Sequence, residues 1–217
     1  MKISIGILGG TGPAGRGLAV RLASAGFEVV LGSRDADRAQ LVASELVFDG
    51  AGSVSGGSNE EAAAAGVIII ATPWDSAVQT VKTVKSLLTG KVVISMVNAL
   101  QKDGRELIPL YPPRGSMAAQ IAAALPESSI AGAFHHLPAS EMENLNSGIE
   151  ADVIIFGDSP QARSTTLEIT NDMNGLRGVE AGSMSLASAV EAFTAVCISI
   201  NIRHKAHTYV RLAGLDA

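Results

Sequence analysis

Short apolar runs alternate with helical stretches along almost the whole chain. Residues 2–8, KISIGIL, read as a strand, and residues 14–26 as a helix with Ala14, Leu18, Leu22 and Ala25 on one stripe. FEVVLG (27–32) is a second strand and ADRAQLVASEL (36–46) a second helix. Past a weak segment around GSVSG (52–56), a short helix over 59–65 leads to GVIIIA (66–71), a continuous apolar run of the kind buried in parallel sheets. The pattern continues as helix 75–88, strand 91–97 and a loop over 98–115 that glycines and prolines punctuate. Helix 116–125, strand 129–134, an irregular stretch 135–150, strand 152–157, helix 159–173 and strand 176–182 complete the alternation. Residues 183 to about 210 read as one long helix and a tail. Units of this kind predict an α/β fold: a Rossmann-type, doubly wound, mostly parallel sheet with a small C-terminal helical segment. The expected division is residues 1–182 for a nucleotide-binding domain and 183–217 for an acceptor pocket and dimer contact.

The first strand ends in Gly10-Thr11-Gly12-Pro13-Ala14-Gly15, which matches G-x-G-x-x-G at the mouth of the first helix. Gly10 makes the tight turn, Gly12 lets the backbone approach a pyrophosphate, and Gly15 lets the helix pack on the strand. Exposed N–H groups and the helix dipole together favour an anion there, and Pro13 suits a first helical turn. A ligand-free glycine turn would use the same residues, but the flanking strand and helix favour a nucleotide. An NAD enzyme usually carries Asp or Glu at the end of the second strand. This chain has Gly32-Ser33-Arg34, with Arg38 one turn further on. A hydroxyl and two guanidinium groups suit a 2′-phosphate, so NADP(H) is the expected cofactor. Asp35 and Asp37 interleave with these arginines, and a self-neutralising helix start is the competing reading.

Composition narrows the classes. Hydrophobic residues make up 47% and charged ones 17% of 217 residues, the profile of a packed globular protein. A formal net charge of −5 and a pI near 5.4 argue against a nucleic-acid partner. One cysteine, Cys197, excludes an internal disulfide framework and fits a reducing cytoplasm. The apolar start is short and glycine-broken, unlike a signal peptide, and no run is expected to reach the roughly 20 apolar residues of a membrane span. The four histidines, His135, His136, His204 and His207, lack a matching carboxylate or cysteine cluster, so no metal site is expected.

The C-terminal helix repeats Leu186, Val190, Phe193, Cys197, Ile200 and His204 at spacings of three and four, and much of its other side is apolar too. Such a helix should be buried, partly by a second subunit. Ser188, Glu191, Thr194 and Asn201 nevertheless cluster within an arc of about 140° at 3.6 residues per turn. A polar stripe of this kind either lines a ligand pocket or satisfies neighbouring backbone groups. Both remain open at this stage.

Four segments together, GGTGPAGRGLAVRLASAGFEVVLGSRD, ATPWDSAV, AFHHLPA and SINIRHKAH, resemble the F420-dependent NADP oxidoreductases, from Ile3 to about Leu212. The resemblance implies a small enzyme passing hydride between NADP(H) and the deazaflavin coenzyme F420. It implies that Gly10, Thr11, Gly12, Pro13 and Ala14 line the pyrophosphate and that Ser33, Arg34 and Arg38 hold the 2′-phosphate. Thr72, Ser76, Asn98 and Ala139 would meet the rest of the nucleotide and the nicotinamide. Thr72 and Asn98 close the fourth and fifth predicted strands, at the edge where doubly wound sheets bind ligands. The deazaflavin would lie by His135, with Ser188, Thr194 and Asn201 as further contacts. Some members carry an arginine where this chain has Ser188; Arg203 and Lys205 could instead meet the anionic F420 tail. Trp74 and the loop 101–114 are candidates to cover the rings. A cytoplasmic homodimer without nucleic-acid or membrane partners is expected.

The cofactors carry the chemistry of such a reaction, and hydride transfer itself needs no acid or base. His135 is the one tentative catalytic residue, predicted to emerge at the sheet edge. For the His135–His136 pair the competing expectation is one ring buried in a hydrogen bond and one exposed. Two other functions use the same residues. A reductase of FMN, FAD or a small imine or ketone would need His135 as a proton donor, at least for the imine or ketone. A non-catalytic NADP(H) sensor would dock a partner on the C-terminal helix.

Overall fold

The computed structural model describes residues 2–215. One eight-stranded sheet runs through it in the order β3 (Ser53–Ser58), β2 (Glu28–Ser33), β1 (Ile5–Leu8), β4 (Val67–Ile70), β5 (Val92–Ser95), β8 (Ser129–Gly132), β9 (Ala151–Phe156), β10 (Leu176–Gly182). The first six are mutually parallel. β9 and β10 pair in parallel with each other but run against the rest, meeting β8 through the single pair Gly132–Phe156.

β1 and β4 are buried along their whole length, because helices cover both sheet faces. Alternate residues of β4 divide between two cores: Val67 and Ile69 face α1 (Pro13–Ser24) with Leu18 and Leu22, while Ile68 and Ile70 face α4 (Trp74–Thr83) with Ala77 and Val81. That division explains the unbroken apolar run at 66–71: each face of a central strand needs its own hydrophobic set.

Four segments differ from expectation. The weak stretch near residue 54 is a full edge strand, β3, pressed so closely on α2 (Ala36–Glu45) that a Cβ at Gly56 would lie 2.1 Å from the Ala39 backbone. The predicted helix over 75–88 divides at Val84 into α4 and α5 (Lys85–Leu88). The expected loop 98–115 contains a hairpin, β6 (Leu100–Asp103) and β7 (Glu106–Pro109), whose two-residue turn places Gly104 at φ +57°. A glycine opening a two-residue turn is itself a hairpin signal. Within 135–150 lies α7 (Ala139–Glu143), packed on α1 so tightly that a Cβ at Gly17 would stand 2.8 Å from the Ala139 carbonyl oxygen.

α6 (Met117–Ala124) leads into β8, α8 (Pro160–Asn171) joins β9 to β10, and α9 (Ala187–His204) closes the fold. α9 packs on β7, on α6 and, through Ala187 and Val190, on Phe156. The helical stretch Met184–His204 is long and apolar enough to cross a membrane by length and composition, against the expectation that no run would be. Small and hydroxyl residues between short apolar groups disguise its total. The tail beyond α9 turns back along β9, with Asp152 N–H donating to the Val210 carbonyl at 2.9 Å and Leu212 N–H to the Asp152 carboxylate.

Candidate active site

The carboxyl ends of β1, β2 and β4 frame a cleft of about 370 Å³, lined by Thr11, Gly12, Pro13, Ala14, Ser33, Arg34, Arg38, Thr72 and Ser76 among others. Gly9 sits at φ +70°, and Gly10 beneath it donates to the carbonyls of Ile7 and Gly32 at 3.2 and 3.0 Å. A Cβ at Gly15 would fall 2.5 Å from the Gly10 carbonyl oxygen, so helix and strand meet as closely as predicted. A Cβ at Gly12 would meet nothing closer than 4.0 Å. Packing does not demand glycine at Gly12; its missing side chain leaves the space above the helix end open. Gly12 caps α1 without a side chain, and the first turn holds no acidic residue, leaving an N-terminus whose free N–H groups and dipole favour an anion.

At the β2 end the interleaved Asp35 is engaged with backbone rather than with the arginines. Asp35 is occupied as the N-cap of α2, its carboxylate accepting from Arg38 N–H at 3.0 Å, and its own N–H donates to Ser33 Oγ at 3.1 Å. Among the described residues neither Arg34 nor Arg38 makes an ion pair. Two guanidinium groups therefore stand over the cleft with their charge available.

A second set of polar atoms lies at the ends of β4, β5 and β8, three neighbouring strands. Thr72 Oγ1, Asn98 Oδ1 and both ring nitrogens of His135 are buried without a protein partner, as is Thr194 Oγ1 on α9. Buried polar groups are otherwise almost always paired. Asn98 Nδ2 donates to the His135 carbonyl at 2.9 Å, fixing the β5 and β8 ends to each other. The His135 ring stacks on Phe156 with centroids 5.4 Å apart. Burial, and secondarily His136, pushes the His135 pKa down to about 3. The imidazole is thus neutral at ordinary pH.

The family described as NADP oxidoreductase, coenzyme F420-dependent, matches residues 4–99. The F420-dependent NADP reductase of Methanothermobacter thermautotrophicus is 32% identical, covering 99% of this chain and 94% of its own. That of Methanocaldococcus jannaschii is 30% identical, covering 99% and 100%. This chain belongs to the F420-dependent NADP reductase family. A solved structure from Arthrobacter sp. FB24 shares the fold at 22% identity with a TM-score of 0.82, covering 98% of this chain and all of that one.

Burial overturns what was expected of the histidine pair, and the other expected residues are placed as follows. His135 follows β8 at the correct edge, but it is only 4% exposed rather than emergent, and His136 is buried with it, its Nε2 2.7 Å from the Asp152 carbonyl. No exposed ring is left in the pair. Asn98 and Ala139 lie outside the residues lining the nucleotide cleft: Asn98 braces the His135 backbone, and Ala139 starts α7. Asn201 is taken up by the tail, its Oδ1 accepting from Thr208 N–H and Oγ1 at 2.8 and 2.7 Å. Glu191, from the same polar stripe, caps α6. Ser188 is half-buried on α9. Trp74, 39% exposed, begins α4 outside the cleft lining, and the stretch 101–114 forms the hairpin against α9.

Two residues went unremarked in the sequence. Asn59 lines the cleft and accepts from Gly9 N–H at 3.3 Å, holding the glycine turn; the preceding Ser58, with Glu61, forms a capping box, the one signal that marked this spot. Arg21, buried in α1, donates to the carbonyls of Glu141, Met142 and Asn144 and to Ser147 Oγ, and so fastens the irregular segment after His135.

Proposed function

We propose that the protein transfers hydride between NADP(H) and coenzyme F420, with NADP(H) in the cleft over α1 and F420 against the ends of β5 and β8 and the inner face of α9. The NADP(H) half comprises residues 1–182; residues 183–217 complete the acceptor side and the subunit contact. The observation that carries this reading is the contrast between the two halves. One offers unpaired guanidinium groups suited to a 2′-phosphate; the other offers buried, partnerless polar atoms around a His135 ring held neutral.

NADPH supplies a hydride when bound. The residues of this chain position and shield. The α1 N-terminus would hold the pyrophosphate, Arg34 and Arg38 the 2′-phosphate, and Thr72 would face the ring-bearing half. On the acceptor side the partnerless atoms of Asn98, His135 and Thr194 suit a ligand rich in carbonyl and N–H groups. An imine or ketone reductase would need a good proton donor here, and a buried His135 held neutral is a weak acid.

The reading extends to a cytoplasmic homodimer built on α9. Leu186, Phe193, Val196 and Ile200 are each between 41% and 50% exposed and, with Ala189, recur at alternating spacings of three and four. That is the seam of a helix pair.

The deciding experiment mixes protein, NADPH and oxidised F420 and follows loss of the deazaflavin's visible absorbance. Bleaching with NADPH, and neither with NADH nor with FMN replacing F420, is the expected result. Bleaching of FMN alone would discard F420 as acceptor, and binding without turnover would leave a sensor.

A further inference from the structure

Glu191 is 5% exposed, in the second turn of α9, and both its oxygens are used: Oε2 accepts from Met117 N–H at 2.7 Å and Oε1 from Ala118 N–H at 2.9 Å. These are first-turn amides of α6. Because α6 runs back to the start of β8, its N-terminus lies at the carboxyl edge of the sheet, on the side of the acceptor atoms. Ser116 already caps α6 by accepting from Ala119 N–H at 3.1 Å. The carboxylate from α9 is therefore a second, long-range cap, made across 73 residues of sequence. Its neighbours on α9 are the acceptor-side residues. Val190 packs with Phe156, the ring on which His135 stacks, and Thr194, one turn along, carries the buried partnerless hydroxyl.

We propose that Glu191 is a positioning residue for the acceptor half of the site: by clamping α9 to the α6 N-terminus it sets where Thr194 and the Phe156–His135 stack stand relative to the strand ends. The proposal rests on the assignment of that half to F420. β7 holds the far part of α9, but at the α6 end the buried contact with Phe156 is made by the small side chains Ala118 and Ala187 together with Val190, which specify the register there only weakly. Two charge-assisted bonds at a helix N-terminus fix it.

The clamp is also set to respond to pH. Burial pushes the Glu191 pKa up to about 7, against the two N–H donors that favour the charged form. Among the described residues no other charge is placed beside it: α6 has no ionisable residue, on α9 the others are the buried thiol of Cys197 and Arg203 and His204 at the far end, and β7, also packed on α9, brings Glu106, which pairs with Arg203 at that far end. β9 contributes Phe156, and the His135 ring beyond it is neutral. Above pH 7 the carboxylate form grips both amides; below it the neutral acid grips them less strongly.

The test compares wild type with Glu191→Gln and Glu191→Asp, measuring KM for NADPH and for F420 from pH 5.5 to 8.5. Hydrogen exchange at the Met117 and Ala118 amides is followed alongside. In Glu191→Gln we expect an unchanged NADPH KM and an F420 KM raised roughly five- to tenfold at pH 8, the scale of one weakened charged hydrogen bond. The F420 KM should also lose its pH dependence around 7, and exchange at the two amides should quicken. Partial recovery in Glu191→Asp supports positioning. Equal shifts in both KM values, or neither, would overturn it. Inactive wild type would instead sink the F420 assignment, and unchanged amide exchange in Glu191→Gln would then sink the clamp independently.

Discussion

Arg34 and Arg38 line the cleft at the end of β2 without an ion pair among the described residues. We expect Arg34→Ala and Arg38→Ala each to raise the NADPH KM roughly tenfold, a loss near the strength of one charged hydrogen bond, with the NADH KM unmoved; steady-state kinetics on both nucleotides decide it. The place of Ser33, Arg34 and Arg38 was legible because the end of the second strand is a fixed place in this kind of sheet, whereas burial of a polar ring leaves no such mark. His135 was misplaced because its cover, Phe156, comes from a strand 21 positions later that runs the opposite way. Its pKa is depressed in the fold, so unfolded chains bind the proton first. Its contribution is therefore complete above pH 6.5 and is lost as pH falls from 6.5 towards about 3, by about 1.4 kcal/mol per pH unit. His135→Phe should remove that slope, as urea midpoints at pH 4.5 and 6.5 would reveal, while reducing turnover less than tenfold.

Elements were legible where one face or both had to be apolar, and illegible where the reason for their existence lay elsewhere. β4 announced itself through burial on two faces. β3 is mostly glycine and serine, and it forms because Gly56 and its neighbours let α2 lie directly on the backbone. The hairpin was written in Asp103-Gly104, yet nearby prolines pointed to loop; β7 is ordered by α9, including Leu107 N–H donating to Ser199 Oγ at 3.3 Å. The same logic ranks two glycines. Gly15→Ala should cost about 2–4 kcal/mol, since the new Cβ meets backbone that cannot move aside. Gly104→Ala faces open space and only a positive φ, a cost of about 1 kcal/mol. Denaturant unfolding of the two variants gives the order.

At the scale of the whole molecule, the dimer proposed on the α9 stripe is open to a direct test: Phe193→Glu with Ile200→Glu should convert it to a monomer in sedimentation analysis while NADPH affinity stays within twofold. The overall architecture followed from alternation alone, but the reversal of β9 and β10 did not, since a strand's direction leaves no mark on its own sequence. That reversal divides the sheet ladder into six strands and two, which meet in one residue pair and are otherwise held by side-chain packing, by α8 lying across β5, β8 and β9 and by the His136–Asp152 bond. A mechanical load or mild denaturant should part the molecule at this seam before it disturbs the nucleotide fold. Amides of β9 should then exchange ahead of those in β1. Because His135 and Phe156 face each other across the same seam, an acceptor molecule seated there would act as a rivet, and its binding would be felt as stiffness in the last third of the chain.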